Sequence, residues 1–202
     1  MKLQQGEESR QRIINAALTV FSSSGFSGSS TRDIATRAGA NQGLITYHFQ
    51  SKERLWQAAA DHIFAMVASA MAAQMMTIND LPPRDKSREM IRFYVRFAAK
   101  HPELFRMMVD EGTQTDGRMA WLVRTHIKPL YATFCHMTAD LGDQWSEENF
   151  PYLFYTMVGA SSLIFAVAPE CRQLTGIDPM REAAVAAHAE IVANLLVPSL
   201  SK

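Results

Sequence analysis

Nearly every segment of the chain shows apolar residues at three-to-four spacing. A helix repeats its inward face about every 3.6 residues and a strand every two, so this pattern restricts the chain to an all-α fold. Glycine, proline and capping residues divide it into about nine helices. The first is expected from Ser9 to Ser24, with Ile14, Leu18 and Phe21 inward, Gly25 ending it in a left-handed cap and Phe26 folding back onto that face. A short second helix starts at Ser30 or Thr31, whose hydroxyls can cap free amides, places Ile34 and Ala38 inward and stops at Gly39. A third starts at the N-cap Asn41 and carries Leu44, Ile45 and Phe49. The fourth follows Ser51 and bears a stripe of Leu55, Ala59, Ile63, Met66 and Ala70 as far as Thr77, long enough to link two domains.

Beyond the break at residues 79–83, the pattern predicts one helix to His101, where Pro102 disfavours helical geometry in the preceding residue, and another from Pro102 to Gly112. A longer helix spans Asp116 to Leu141, with Pro129 removing a backbone donor and kinking it. The last two run from Ser146 to Ala168 and from Asp178 to Val197, the latter with Asp178 as N-cap and Pro179 at the first helical position. The expected organisation is an N-terminal three-helix domain over residues 1–52, including the first turn of helix four, and a C-terminal helical bundle over 53–202.

Two cysteines, Cys135 and Cys171, are too few for a disulfide framework and fit thiols in a reducing compartment. The polar start with Glu7 and Glu8 lacks the apolar stretch of a secretory signal. The longest apolar run, Met157 to Ala168, falls short of the roughly 18 residues a membrane span needs. These features predict a cytoplasmic protein without a membrane partner. Net charge is zero, but the first sixty residues hold seven basic against four acidic side chains, a net of +3, and the remainder carries −3. So small a bias can support a nucleic-acid motif without replacing one.

Residues 30–49 supply the motif: two helices of about two turns joined by a glycine-containing turn at Gly39 to Asn41. A tight turn lets the second helix project and enter a major groove with its first residues at the base edges. Those residues are Asn41, Gln42, Gly43 and Thr46. Gln42 offers the donor and acceptor that an adenine edge demands, Gly43 permits close approach, and Thr46 can meet a thymine methyl. Tyr47, His48 and Lys52 would then lie over phosphates. The run Thr31-Arg-Asp-Ile-Ala-Thr-Arg-Ala-Gly39, followed by Gly43-Leu-Ile-Thr-Tyr-His-Phe49 and Ser51-Lys-Glu-Arg-Leu55, resembles the TetR/AcrR family of bacterial transcriptional regulators. The match is close from Ile13 to about Ala58; beyond it only the helical layout corresponds. The resemblance implies that Thr31, Arg32, Gln42, Gly43, Thr46, Tyr47, His48 and Lys52 occupy DNA-contacting positions. Thr46 replaces a frequent Tyr of the family and Asn41 a frequent Ser or Thr, departures that bear on base preference.

The resemblance further implies a homodimer, one reading head per subunit, on a pseudo-palindromic double-stranded DNA operator. The expected interface uses Phe154, Met157, Ser161 and Phe165 of the penultimate helix and Val185, Ala189, Val192 and Leu196 of the last. The middle of the chain, rich in aromatic and sulfur side chains, is expected to house a pocket for a small hydrophobic inducer. Its candidate residues are Phe93, Phe97, Met107, Met108, Glu111, Trp121, Arg124 and His126. Inducer in the C-terminal bundle would shift the fourth helix, change the spacing of the two heads and release DNA.

An enzyme reading finds no support in the motifs. Cys135 and His136 are adjacent and so diverge around a helix, and neither a glycine-rich phosphate loop nor His-Glu-x-x-His is present. Metal sensing through Cys135, His126 and His136 meets the same spacing problem, so no cofactor or metal is expected. A helical protein that had lost DNA binding would have no need for base-compatible groups at Gln42, Thr46 and Tyr47.

Overall fold

The structure, a computed structural model, describes residues 2–142 and 145–198. Residue 1 and residues 199–202, the outer ends of the two expected domains, lie outside the described residues. The elements are α1 (Lys2–Gly28), α2 (Thr31–Ala38), α3 (Gln42–Phe49), α4 (Lys52–Thr77), α5 (Pro83–Lys100), α6 (Pro102–Gly112) and α7 (Gly117–Leu122). A π-helical turn (Val123–Ile127), α8 (Lys128–Thr138), a 3-10 turn (Ala139–Leu141), α9 (Phe150–Ala166), α10 (Ala168–Thr175) and α11 (Glu182–Leu196) complete them. Among the described residues there is no strand, as the periodicity requires.

Two compact units result, Met1–Met66 with Arg106–Leu122, and Val67–Phe105 with Val123–Lys202. The expected boundary at residue 52 therefore moves. The first unit takes in the first half of α4 and recruits α6 and α7, because these helices supply buried side chains to it. Trp56 is fully buried and meets Trp121 edge to face at 5.8 Å, while the Arg118 guanidinium lies 3.9 Å from the Phe26 ring centre. Ile13, Ala17 and Phe21 of α1, Ile34 of α2 and Ile45 and Phe49 of α3 fill the rest of this core.

The second unit is a helical bundle in which α5, α9 and α11 surround Val95, Trp145, Phe165, Val192 and Ala193. Arg88 of α5 is buried and answers the C-terminal carbonyls of α11, donating to Val197 O, to Ala193 O at 3.4 Å and to Asn194 Oδ1 at 2.7 Å. A guanidinium suits this position: it supplies several donors and its charge opposes the negative end of the helix dipole. Arg92 adds a bidentate pair with Glu190, at 2.7 and 2.9 Å.

Several expected boundaries shift. The first helix begins earlier, at Lys2, and breaks at Gly25 as expected, with a short helical segment beyond it to Gly28. Gly25 has φ 66 and ψ 174, a kink and not a left-handed cap. The expected 116–141 helix is divided by the π turn just before Pro129, whose ring cannot coexist with a regular turn preceding it. The expected 146–168 helix starts only at Phe150, and α10, absent from the sequence reading, follows it. Asp178 does not cap α11, which begins four residues later; its carboxylate pairs with Arg172 at 2.9 Å and accepts from Met180 N at 3.1 Å. No single helix among the described residues is long and apolar enough to cross a membrane.

Two positions with positive φ make opposite predictions. Gly25 occupies a region open to glycine almost alone, and a Cβ there would lie 2.7 Å from Asp110 Oδ2. Gln50, between α3 and α4, has φ 66 and ψ −40, with Ser51 N bonded to Phe49 O at 2.7 Å, a strained γ-turn. Gly25→Ala is expected to cost about 2 kcal/mol and lower Tm by roughly 4–8 °C in thermal unfolding. Gln50→Gly is expected to raise Tm by about 2 °C, relief of strain exceeding the added chain entropy.

Candidate functional site

The first site is built from α2, the turn after it, and α3. Ser30 caps α2: Asp33 N donates to Ser30 Oγ at 3.1 Å, and that hydroxyl donates back to Asp33 Oδ2 at 2.6 Å. Gly39 ends α2 at φ 59, ψ 36, in the left-handed conformation expected of it. Asn41 caps α3 through Leu44 N, at 2.9 Å. A Cβ on residue 43 would come within 3.2 Å of Asn41 Oδ1, so glycine there gives the cap room as well as opening the helix surface.

These local devices leave Arg32, Gln42, Gly43, Thr46 and Tyr47 exposed, Tyr47 at 80% of its surface. Gln42 Nε2 donates to Thr31 Oγ1 at 3.1 Å, tying the start of the second helix to the start of the first. Thr46 Oγ1 donates to Gln42 O at 3.4 Å, and His48 stands edge-on to Tyr47 at 5.1 Å. The polar face expected of a reading helix is therefore assembled and solvent-facing, while Ile45 and Phe49 on its other side are buried.

Lys52 is placed differently from a freely extended side chain. Its Nζ donates to Ser29 O at 2.5 Å and sits 4.5 Å from the Phe26 ring centre, the ring that Arg118 also approaches. Partial burial, and then the Arg118 charge, lower its pKa. Together with Ser29, Ser30, Thr31 and Ser51 it lines an open cleft onto which the starts of α2 and α4 face. Free helix amides, hydroxyls and a cation in one cleft suit an anion. The sequence reading missed Phe26, Ser29 and Arg118 in this role. Arg118 is distant in the chain, and no local pattern marks a side chain that arrives by tertiary packing.

The expected pocket residues are divided between the two units. Met107, Met108, Glu111 and Trp121 belong to the first unit, and Phe93, Phe97, Arg124 and His126 to the second. Glu111 is buried and held by Arg118 Nε at 3.3 Å; burial raises its pKa, with Arg118 acting in the opposite direction. It serves the first unit internally. Arg124 and His126 lie in the π turn, and Phe97 stacks on His101 at 4.6 Å. Of the eight, Phe93 lines the partly open apolar cavity of the second unit, which has a volume of about 100 Å³. Its walls come from α5, α8, α9 and the second half of α4, with Met71, Met90, Tyr94, Phe134, Trp145 and Phe154 prominent.

The expected interface residues are mostly turned inward. Ser161, Phe165, Ala189, Val192 and Leu196 are buried within the chain, and Met157 and Val185 pack against the same core. Phe154 lines the cavity. Both α9 and α11 also carry apolar side chains on the side away from this core. The outward sides carry Tyr152, Tyr155 and Leu163, and Ile191 and Leu195, all more than half exposed. Among the described residues no group of three His, Cys, Asp or Glu side chains could hold a metal ion.

Residues 13–59 match the model of a family described as bacterial regulatory proteins, tetR family. The chain is 33% identical over 111 residues to the HTH-type transcriptional repressor NicS of Pseudomonas putida, covering 55% of this chain and 51% of that protein. It thus spans about half the length of this curated relative. Solved structures share the fold along almost the whole chain. The fatty acid degradation regulator FadR from Bacillus halodurans has a TM-score of 0.72 at 16% identity, covering 95% of this chain and 96% of that one. AibR in complex with isovaleryl coenzyme A and operator DNA has a TM-score of 0.73 at 15% identity, covering 95% and 100%. The capped α2–α3 unit thus lies in the segment that is similar to bacterial regulatory proteins of the tetR family, within an all-helical fold with an N-terminal helix-turn-helix.

Proposed function

We propose that this protein is a ligand-responsive transcriptional repressor that binds a pseudo-palindromic operator as a homodimer and releases it when a small apolar ligand enters the second unit. The observation that carries this reading is α3, capped at Asn41, with Gln42, Gly43, Thr46 and Tyr47 exposed along one side and Ile45 and Phe49 buried on the other. An eight-residue helix presenting groups matched to base edges has the form of a reading head. Gln42 and Thr46 choose bases; Thr31, Arg32, Tyr47, His48 and Lys52 hold the backbone. The cleft at the starts of α2 and α4 offers a place for one phosphate, with the Lys52 ammonium already anchored at its edge.

The stripe of Tyr152, Tyr155, Gly159 and Leu163, at helical spacing on α9, with Ile191 and Leu195 on α11, supports self-association. A two-fold arrangement of such faces would set two reading heads about one or two helical turns of DNA apart. Repression needs nothing beyond tight binding that blocks a promoter. Ligand release is supported by the apolar cavity and by the fold shared with AibR, whose structure contains both isovaleryl coenzyme A and operator DNA.

Mobility-shift assays with DNA from upstream of its own gene test the reading. Gln42→Ala is expected to lose about 1–3 kcal/mol of discrimination between operator and mismatched DNA. Lys52→Met is expected to weaken binding evenly across sequences and to reduce the salt slope by about one unit. Failure of the wild-type protein to shift any such DNA at low salt would refute the proposal. Tyr155→Asp is expected to convert a dimer to a monomer in sedimentation and to abolish operator binding, leaving the helical circular dichroism intact.

A further inference from the structure

The cavity of the second unit combines a small volume with apolar walls: among the described residues, no Lys, Arg, His, Asp or Glu lines it. Its hydroxyls are already occupied. Ser87 Oγ donates to Met137 O at 3.4 Å, Thr138 Oγ donates to Phe134 O at 2.8 Å, and the Tyr94 hydroxyl is hydrogen-bonded with Ser162. A carboxylate or phosphate entering here would surrender its hydration and find no cation among the described lining residues, while Ser87 and Thr138 already donate to backbone carbonyls. Charge is therefore selected against by the lining itself.

The remaining surface favours a ring. Phe134 is the centre of an aromatic cluster, edge to face with Phe154 at 5.4 Å and tilted against Trp145 at 6.0 Å, and Phe154 meets Tyr131 edge to face at 5.2 Å. An aromatic guest can join such a cluster by the same edge-to-face geometry, whereas an alkyl chain gains only contact area. The volume of about 100 Å³ is somewhat below the roughly 150 Å³ of an engineered apolar cavity known to take benzene. Met71, Met90, Met137 and Met157 in the walls can shift to make up that difference, since unbranched thioethers change rotamer at little cost.

We infer that this cavity takes an uncharged single-ring aromatic compound, and that it discriminates against carboxylates and coenzyme A thioesters. The inference deepens the proposed release by ligand and rests on it for its regulatory meaning, but not for binding. It also separates this chain from its structural neighbour AibR, whose ligand carries several phosphates.

The full-length protein is titrated with toluene, benzoate and isovaleryl coenzyme A, with binding read by calorimetry and by the shift in Tm. Toluene is expected to bind and to raise Tm by several degrees near saturation, with benzoate at least about tenfold weaker. Val158→Phe, which fills the cavity, is expected to abolish the toluene response; Leu130→Phe does the same from α8 should the first variant not fold. Equal or stronger binding of benzoate or of the thioester overturns the inference, as does the absence of any toluene response or its persistence in both filled variants. The mobility-shift assay in the same ligands separates the two claims. Toluene that binds without releasing DNA leaves the ligand class standing and removes the release mechanism. A charged compound that alone releases DNA does the reverse.

Discussion

Two eight-residue helices carry the exposed polar face of this protein, and neither is long enough to persist by itself in water. Everything that makes the face useful depends on what lies behind it. Ile34, Ala35 and Ala38 of α2 and Ile45 and Phe49 of α3 are buried, and this one-sided burial fixes the direction in which Gln42, Thr46 and Tyr47 point. The caps at Ser30 and Asn41 and the left-handed Gly39 then set where each helix begins and ends. Hydrophobic burial supplies the free energy, and the caps supply the register.

The same logic explains why the first unit extends beyond the segment that contains its motif. A domain of about fifty residues would bury little of its surface and be marginally stable. Here Trp56, fully buried on α4, packs against Trp121, and the buried Glu111 is held by Arg118, so α6 and α7 complete the core. Arg118 also shares the Phe26 ring with Lys52 and opposes its charge. A helix from the middle of the chain thus touches the electrostatics of the cleft at the starts of α2 and α4. The strained Gln50 lines the same cleft, at the tight reversal between α3 and α4.

In the second unit the constraint is different, because α9 is apolar on all sides. One side closes the core around Phe165, and the cavity beside it is bounded by sulfur and aromatic side chains with their polar atoms turned to internal partners. The other side is left with two tyrosines and a leucine in solvent. Arg88 secures the end of α11 against α5, so the helices around the cavity are held by a buried guanidinium as well as by packing. A rigid frame with methionine walls is a reasonable way to make a small cavity selective and still adjustable.

The all-helical class, the short helices α2 and α3, their caps and the residues on the outward face of α3 were all legible from sequence. Each depends on contacts within a few positions: a three-to-four periodicity, a glycine needing positive φ, a hydroxyl or amide three residues from a free N–H. What only tertiary structure decided was which side of a uniformly apolar helix faces inward, and which distant helices share a core. Phe165, Val192 and Leu196 read as well for an interface as for an interior, and they proved interior. Glu111 and Trp121 read as pocket residues, and the contacts they make with Arg118 and Trp56 exist only in the folded chain. Local geometry is written in neighbouring residues, whereas the choice among several apolar faces is a competition over long-range burial that no single segment contains.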